Sequence, residues 1–223
     1  ERDLINAAVE AKENNGGKVI VMLNNANAME IDEIKNNDGV DAIMEIGFPG
    51  GYGFYGVADI LSGEANPSGH LTDTYAVTNA NSPAAQNFGN YEWTNADPSV
   101  NINAEEVEAE DIYTGYKYYE TRYADTVLGQ GNADATVGSS TGKAWNYDDE
   151  VSYPFGYGLS YTTFEQTLKS VDVDLANRTV TAEVDVKNTG DVAGKDVVQL
   201  YTSVPYTDYD VENKVEKSAV QLL

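Results

Sequence analysis

A glutamate followed directly by a tyrosine-rich segment is the feature of this sequence best suited to acid–base chemistry. Glu110 is that residue, and residues 111–123 contain five tyrosines. A carboxyl group packed among aromatic rings is desolvated, which raises its pKa and suits it to act as a general acid. The neighbouring acids Glu105, Glu106 and Glu108 favour another interpretation, a solvated carboxylate in an acidic surface loop. The residues alone leave both interpretations open, and Glu110 is the candidate catalytic residue.

Most other catalytic and metal-binding chemistries find no support in the composition. The sequence has no cysteine, which excludes disulfides, thiolate catalysis and cysteine-based zinc sites. His70 is the only histidine, and without a nucleophile elbow we expect it at the surface or at a strand edge. Four carboxylates near the end of the chain have a spacing unlike an EF-hand and are expected to be a solvated charge run. They are Asp208, Asp210, Glu212 and Glu216. We therefore expect no metal and no cofactor.

A glycine-rich turn lies at residues 47–51, Gly-Phe-Pro-Gly-Gly. It lacks the Lys-Ser pair of a phosphate-binding loop and the glycine spacing of a dinucleotide-binding turn. We expect instead a turn from a strand into a helix, close to a substrate cleft.

The charge of the chain limits its partners. The 223 residues carry a formal net charge of -24, and the acidic residues are spread along the chain. Nucleic acids and anionic membranes attract clusters of lysine and arginine, so neither is expected as a partner. With 41% hydrophobic residues and no long apolar run, the composition is typical of a folded protein without a membrane-spanning segment. The compartment stays open between cytoplasm and secretion, because a lack of cysteine fits both.

The first third of the chain alternates strand-like and helix-like segments. The apolar run at 18–23 (KVIVML) is typical of a strand buried on both faces of a parallel sheet. In chain order, the segments are a helix at 1–15, a strand at 18–23, a helix at 29–36, a strand at 40–48, a helix at 52–61 and a strand at 71–76. This order predicts a layered α/β sandwich with a mostly parallel sheet. Ligands bind such sheets in the loops that follow the strands, here 24–28 and 47–53.

Beyond the last of these strands the pattern changes twice. Residues 77–149 are rich in Asn, Ala, Asp, Gly and Ser and predict a long loop region, in which the tyrosines suit packing better than sugar stacking. After Phe164 the apolar residues alternate in period two, which predicts antiparallel strands, too few for a complete β-sandwich. These strands are 170–175, 179–187 and 197–204. We therefore predict two partial domains of a longer protein, an α/β sandwich at 1–164 and an immunoglobulin-like β-sandwich at 165–223.

Five separated motifs occur in an order that resembles a known enzyme family. They are 47–51 (GFPGG) with 58–63 (ADILSG), 66–71 (NPSGHL), 110–119 (EDIYTGYKYY), 153–161 (YPFGYGLSY), and 186–190 (VKNTG) followed by 199–201 (QLY). Their order and spacing resemble the C-terminal α/β sandwich and the start of the fibronectin type III-like domain of glycoside hydrolase family 3. This family contains β-glucosidase and β-xylosidase-like enzymes. The insert between Tyr123 and Tyr153 resembles members from gut and rumen bacteria, whereas His70 stands where the family usually has arginine or lysine.

The resemblance implies a retaining β-glycosidase that removes terminal β-linked glucose or a related sugar from oligosaccharides. The nucleophile of such enzymes lies on a TIM-type barrel, which this sequence lacks. The chain is therefore expected to form one wall of the active-site cleft and to be inactive alone. In one group of members the acid/base residue corresponds to Glu110, and in another it lies in a loop before the position of Glu1. The alternative function is a non-catalytic carbohydrate-binding or domain-packing module.

Overall fold

The computed structural model describes residues 1–89, 99 and 108–223. Within these residues the helices are α1 (Arg2–Asn15), α2 (Asp32–Lys35), α3 (Gly50–Ser62), α4 (Pro83–Gln86), α5 (Tyr116–Thr126), α6 (Tyr147–Glu150) and α7 (Asp208–Asn213). The strands are β1 (Ile20–Leu23), β2 (Ala42–Glu45), β3 (Tyr75–Ala76), β4 (Val151–Tyr153), β5 (Phe164–Asp174), β6 (Thr179–Asn188), β7 (Tyr201–Ser203) and β8 (Val220–Leu222). In this part of the chain, no helix combines the length and the apolarity needed to cross a membrane.

The first part of the chain forms the α/β unit that the sequence predicts. β1 and β2 run parallel, with Ile20 opposite Ala42 and Leu23 opposite Glu45. Helices α1 and α3 lie before and after this pair in the chain, close to their predicted bounds. Helix α2 is shorter than predicted, because only residues 32–35 are helical.

The prediction that the first strand is buried on both faces was wrong. Leu23 is 8% exposed, but Ile20 and Met22 are 41% and 45% exposed. Side chains alternate between the two faces of a strand, so one face of β1 is covered and the other is open. The apolar composition of β1 therefore indicates that another layer covers its open face. The described residues do not form this layer.

A carboxylate ties α1 to both strands of the parallel pair. Asp41, directly before β2, accepts hydrogen bonds from Lys12 Nζ at 2.6 Å, Lys18 Nζ at 2.8 Å and the backbone N–H of Val19 at 2.8 Å. These donors, with Lys12 the strongest, hold the pKa of Asp41 well below its usual value. Folding therefore favours the ionised form of Asp41.

The stability of the fold should depend on the charge of Asp41 in a defined direction. Because the pKa of Asp41 is lower in the folded than in the unfolded chain, its contribution is present above about pH 4 and is lost as the pH falls. Replacing Asp41→Asn is expected to lower Tm at pH 7 and to flatten the decrease in Tm between about pH 5 and pH 2. Circular dichroism melts across this range measure both effects. Asp38→Asn, at an exposed neighbour, is the control, and indistinguishable profiles for the two variants would contradict the assignment.

Two small cores lie against the two faces of β3. One consists of Leu23, Ile31 and Tyr75. The other consists of Ala76, Tyr119, Trp145 and Val151. Tyr75 and Ala76 are neighbours and therefore point to opposite faces, so β3 joins the α/β unit to the later part of the chain. The predicted third strand exists, but it pairs antiparallel with β4 and does not extend the β1–β2 sheet.

The region predicted to be a long loop is partly helical. Residues 116–126 form α5, in which Tyr119 and Ala124 are buried. Tyrosine has only moderate helix propensity, and this segment lacks one clear apolar stripe, so the local pattern did not indicate a helix. Packing of Tyr119 into the core around Trp145 supplies the stabilisation that local propensity lacks.

The last part of the chain contains the antiparallel strands that the period-two pattern predicts. β5 and β6 form a hairpin with Phe164 opposite Asn188, and a register shift occurs between Leu168 and Ser170. β7 pairs antiparallel with β8, and of the strand predicted at 197–204 only residues 201–203 are extended in this pair. The hairpin and the β7–β8 pair are separate two-stranded sheets.

Helix α7 shows that the acidic residues near the end of the chain are not only a solvated charge run. Asp210 is 5% exposed and accepts hydrogen bonds from Lys217 Nζ at 2.6 Å and from the backbone N–H of Thr207 at 2.7 Å. Lys217, followed by Thr207, lowers the pKa of Asp210 to about 2. The signal in the sequence was the Thr-x-x-Asp capping box at 207–210. The other three carboxylates of this group are exposed, as predicted.

Candidate functional site

The two predicted ligand-binding loops meet at the carboxyl ends of β1 and β2. The side-chain amide of Asn24 donates a hydrogen bond to the backbone oxygen of Gly47. Glu45 accepts from the backbone N–H of Gly47 at 2.8 Å and from the hydroxyl of Tyr75 at 3.1 Å. Burial, together with the charge of Glu45, raises the pKa of Tyr75 to about 12, so the phenol stays a donor at neutral pH. This edge is where an open parallel sheet normally binds its ligand.

Aromatic side chains extend from this edge along the start of α3. Phe48 is 75% exposed, Tyr52 88%, Phe54 50% and Tyr55 71%. The turn before them places Gly47 at φ 54° and Gly50 at φ 61°, which favours glycine at both positions. A group of exposed large apolar side chains of this kind marks an interaction or ligand-binding surface. Phe48, Tyr52 and Tyr55 follow helical spacing and share one face, whereas Phe54 lies on the other side of α3. We call Phe48, Tyr52 and Tyr55 the α3 aromatic surface.

Glu110 lies in a tight turn that leads into α5. Its backbone oxygen accepts a hydrogen bond from the N–H of Tyr113 at 2.8 Å, and its side chain is half-buried. Burial raises the pKa of Tyr119 to about 12, and the negative charge of Glu110 adds to this shift. Of the groups that contribute to this shift, Glu110 has the smallest effect. Of the acids that suggested an acidic loop, Glu108 is exposed, whereas Glu105 and Glu106 lie outside the described residues.

The motif at 153–161 is the junction at which the other motifs meet. The side-chain oxygen of Asn66 accepts hydrogen bonds from Ser160 Oγ and from the backbone N–H of Tyr161, both at 2.8 Å. The side-chain nitrogen of Asn66 donates to the backbone oxygen of Ala193 at 3.0 Å. Asn66 therefore joins three motif regions at one point. The sequence placed this residue in a turn without indicating the three-way contact.

Backbone hydrogen bonds and aromatic contacts complete the junction. Leu71 donates to the oxygen of Tyr157 and accepts from the N–H of Gly156, both at 2.8 Å. The ring of Tyr116, at the start of α5, lies 4.7 Å from that of Phe155 and 6.1 Å from that of Tyr201. The segment at 153–161 therefore holds the turn at 66–71 and α5, and α5 in turn contacts β7 through Tyr116 and Tyr201.

His70 belongs to the junction and not to a free surface. Its Nδ1 lies 3.1 Å from the backbone oxygen of Ser68, and its Nε2 lies 3.9 Å from Asp196 Oδ1. Its side chain is 20% exposed and packs against Gly158. The expectation of a surface or strand-edge position thus misses the packing role of this ring.

Gly158 is expected to tolerate no side chain, because the turn at 66–71 lies directly against it. A Cβ at this position would overlap the backbone oxygen of Gly69 and lie 3.0 Å from the ring of His70. Replacing Gly158→Ala should therefore reduce the free energy of unfolding by about 1–3 kcal/mol. Urea unfolding at pH 7 measures this loss. Gly56→Ala is the matched control: it lies inside α3 with no atom within 4 Å of the new Cβ, and should leave stability equal or higher.

Comparison with known proteins agrees with the arrangement of these motifs. Residues 1–161 match the family model of the glycosyl hydrolase family 3 C-terminal domain. A β-glucosidase of Bacteroides ovatus is 30% identical over 203 residues, which are 90% of this chain and 22% of that protein. The thermostable β-glucosidase B of Acetivibrio thermocellus is 32% identical over 222 residues, covering 98% of this chain and 23% of that protein. The chain thus spans less than a quarter of these relatives.

Solved structures give the same result. A β-glucosidase from Paenibacillus barengoltzii superposes with a TM-score of 0.67 at 32% identity, over 92% of this chain and 18% of that one. The β-glucosidase of Kluyveromyces marxianus, solved in complex with glucose, superposes with a TM-score of 0.62 at 26% identity, over 99% of this chain and 20% of that one. Since the family model covers most of the sequence and the junction holds the family's motifs together, this chain belongs to glycosyl hydrolase family 3 and contains its C-terminal α/β domain.

Proposed function

We propose that this chain forms one wall of the active-site cleft of a retaining β-glycosidase, which removes terminal β-linked glucose or a related sugar from oligosaccharides. The observation that carries the proposal is the family match over residues 1–161, shared with relatives that are named β-glucosidases. A non-catalytic carbohydrate-binding or packing module is the alternative. It has less support, because the relatives that the chain matches along most of its length are named as enzymes.

The retaining mechanism requires a second carboxyl group, which this proposal places in another domain. A retaining glycosidase places two carboxyl groups about 5–5.5 Å apart, one as nucleophile and the other first as acid and then as base. In this proposal a TIM-type barrel of the same protein supplies the nucleophile. The acid/base residue is Glu110 or a residue that precedes Glu1. The half-buried side chain of Glu110, in the turn that leads into α5, supports the first assignment.

The α3 aromatic surface supports a cleft-forming role. Its side chains are between 71% and 88% exposed and follow the carboxyl edge of the parallel strands. Aromatic faces pack against the apolar faces of sugar rings and against neighbouring domains. We propose that this surface faces the barrel and the substrate. The open face of β1 contributes further apolar area to the same interaction.

We further propose that a second domain begins after residue 164 and is the start of a fibronectin type III-like β-sandwich. The family match ends at residue 161, close to the start of β5. Apolar side chains of the hairpin are left open, with Leu168 59%, Val171 52% and Val173 57% exposed. A hairpin of this kind needs a further sheet to cover it, as in a β-sandwich.

The proposal is tested by comparing the full-length protein with the 223-residue chain on 4-nitrophenyl β-glucoside and 4-nitrophenyl β-xyloside. The full-length protein should hydrolyse at least one of them, and proton NMR should detect the β-anomer of the sugar as the first product. The 223-residue chain should release no nitrophenol above the buffer rate. Release of the α-anomer would overturn the retaining mechanism, and turnover by the chain alone would overturn its role as a wall.

A further inference from the structure

A cavity of about 260 Å³ lies between α5 and the last segment of the chain. One wall is α5, the second is the loop at 130–133, and the third is formed by residues 203–206 and 217–219. Glu110 and the α3 aromatic surface are not among its lining residues. The cavity is therefore a separate feature from the wall described above.

Hydrogen bonds hold the last segment of the chain against α5. The backbone N–H of Ala219 donates to Thr121 Oγ1 at 3.0 Å, and that of Lys217 donates to the hydroxyl of Tyr113 at 3.1 Å. These bonds fix the width of the cavity, because they join its opposite walls. Preorganised walls reduce the ordering cost of binding a ligand.

Hydrogen bonds also hold the loop at 130–133, which forms the second wall of the cavity. Arg122 is 6% exposed, and its Nη2 donates to the backbone oxygens of Asp134 at 3.0 Å and Val137 at 2.6 Å. The backbone N–H of Gln130 donates to the oxygen of Ala124 at 2.9 Å. A Cβ at Gly131 would overlap the carboxylate of Asp125, so glycine there lets the loop lie directly on this acid.

Polar groups around the cavity are left without partners. Nε of Arg122 is buried and has no hydrogen-bond acceptor among residues 1–89, 99 and 108–223. In the same part of the chain, no hydrogen bond reaches the carboxylate of Asp125 or the side-chain amides of Gln130 and Asn132. Burial raises the pKa of Asp125, against the opposing effect of the Arg122 charge. Gln130 and Asn132 are exposed and Asp125 is half-buried, so these groups are open to a ligand. Because buried polar groups normally have partners, the free Nε of Arg122 is the observation that points to a binding site.

The lining chemistry suits a neutral polyhydroxylated ring better than an ion. The positive charge of Arg122 lies near the negative charge of Asp125, and Lys217 is already paired with Asp210 at 2.6 Å. A carboxylate accepts hydrogen bonds from the hydroxyls on neighbouring carbons of a sugar, and a side-chain amide both accepts and donates them. Tyr113, Tyr118 and Tyr206 also line the cavity, and aromatic rings can pack against sugar rings. The volume of about 260 Å³ lies just below the usual range for ligand pockets, about 300–1,000 Å³, which limits the ligand to a single ring.

We propose that this cavity is a monosaccharide-binding site, in which Asp125 and Asn132 hold the hydroxyls of one hexose ring. No catalytic step takes place there. Binding adds contacts between α5 and residues 217–219, so the ligand stabilises the seam between these two parts of the chain.

Saturation-transfer NMR of the full 223-residue chain with D-glucose tests the proposal. The chain should give a saturable signal with a Kd of about 1–10 mM, as expected for a ligand of this size. Asp125→Ala and Asn132→Ala should each weaken binding about ten-fold, the effect of losing one good hydrogen bond. The matched control is Asp172→Ala, at an exposed aspartate of the β5–β6 hairpin far along the chain, and should bind glucose like the unchanged protein.

The outcomes of this binding experiment test the monosaccharide site independently of the proposed glycosidase activity. Absence of a saturable signal from the unchanged chain would overturn the monosaccharide site. Equal binding by all three variants would place any glucose site elsewhere and would overturn it as well. Because the readout is equilibrium binding without turnover, neither result depends on whether the full-length protein hydrolyses glucosides.

Discussion

Replacing Glu110→Ala in the full-length protein is expected to lower kcat on β-glucosides with poor leaving groups, such as cellobiose, by about 10²–10⁴-fold. A general acid contributes most when the leaving group needs a proton. Activated substrates such as 2,4-dinitrophenyl β-glucoside should therefore lose much less in the glycosylation step. Initial rates on the two substrates, measured on the same enzyme preparation, give the ratio that defines the effect.

Two further measurements distinguish an acid/base residue from a structural one. Added azide should restore turnover of the activated substrate by Glu110→Ala and yield a glycosyl azide, because azide attacks the glycosyl-enzyme in place of water, displaces the enzyme carboxylate and needs no general base. The acidic loop offers a matched control in Glu108→Ala, at an exposed carboxylate two residues earlier. An unchanged pH–rate profile and an equal loss on both substrates would make Glu110 a bystander and assign the acid/base role to a residue that precedes Glu1.

The largest expected loss of stability comes from Trp145→Ala. Trp145 is 2% exposed and belongs to the core cluster with Ala76, Tyr119 and Val151. Its ring also lies under the guanidinium of Arg122, at 5.8 Å. Removing the indole leaves a cavity and ends the contact that holds α5, so the free energy of unfolding should fall by about 3–5 kcal/mol. Urea unfolding monitored by far-ultraviolet circular dichroism measures it.

Leu175→Ala provides the comparison for this core variant. Leu175 follows β5 and is 84% exposed, so its truncation should change the free energy of unfolding by no more than about 0.5 kcal/mol. A loss below about 1 kcal/mol for Trp145→Ala would mean that the cluster is not a core of the chain, since buried large side chains cost several times more.

The sequence pattern predicted the secondary structure well wherever the apolar residues followed a single period, either helical or strand-like. The helix at 1–15, the parallel strand pair and the β5–β6 hairpin all lie near their predicted positions. In these segments the apolar spacing follows either the helical or the strand period over several consecutive residues. The glycine-rich turn at 47–51 likewise leads from a strand into a helix, because its glycines adopt the left-handed conformation that other residues resist.

Local pattern failed where distant segments decide the structure. α5 is helical because Tyr119 packs against Trp145, a contact that no window of neighbouring residues contains. The strand at β3 pairs with β4 and not with its nearer predecessors, because Tyr75 and Ala76 must bury side chains on opposite faces.

The sequence alone determined the family, through five short motifs in a characteristic order and spacing. The spacing of its apolar residues also determined which main segments are helices and which are strands, and the lack of cysteine excluded cysteine chemistry. Only the tertiary structure showed that the motif at 153–161 contacts both Asn66 and Tyr116, and that Tyr116 in turn contacts Tyr201. Only the fold, likewise, placed Asp125 and Lys217 on one cavity. The physical reason is that these contacts join residues far apart in the chain, where close packing and hydrogen-bond satisfaction decide between partners that local propensity treats alike.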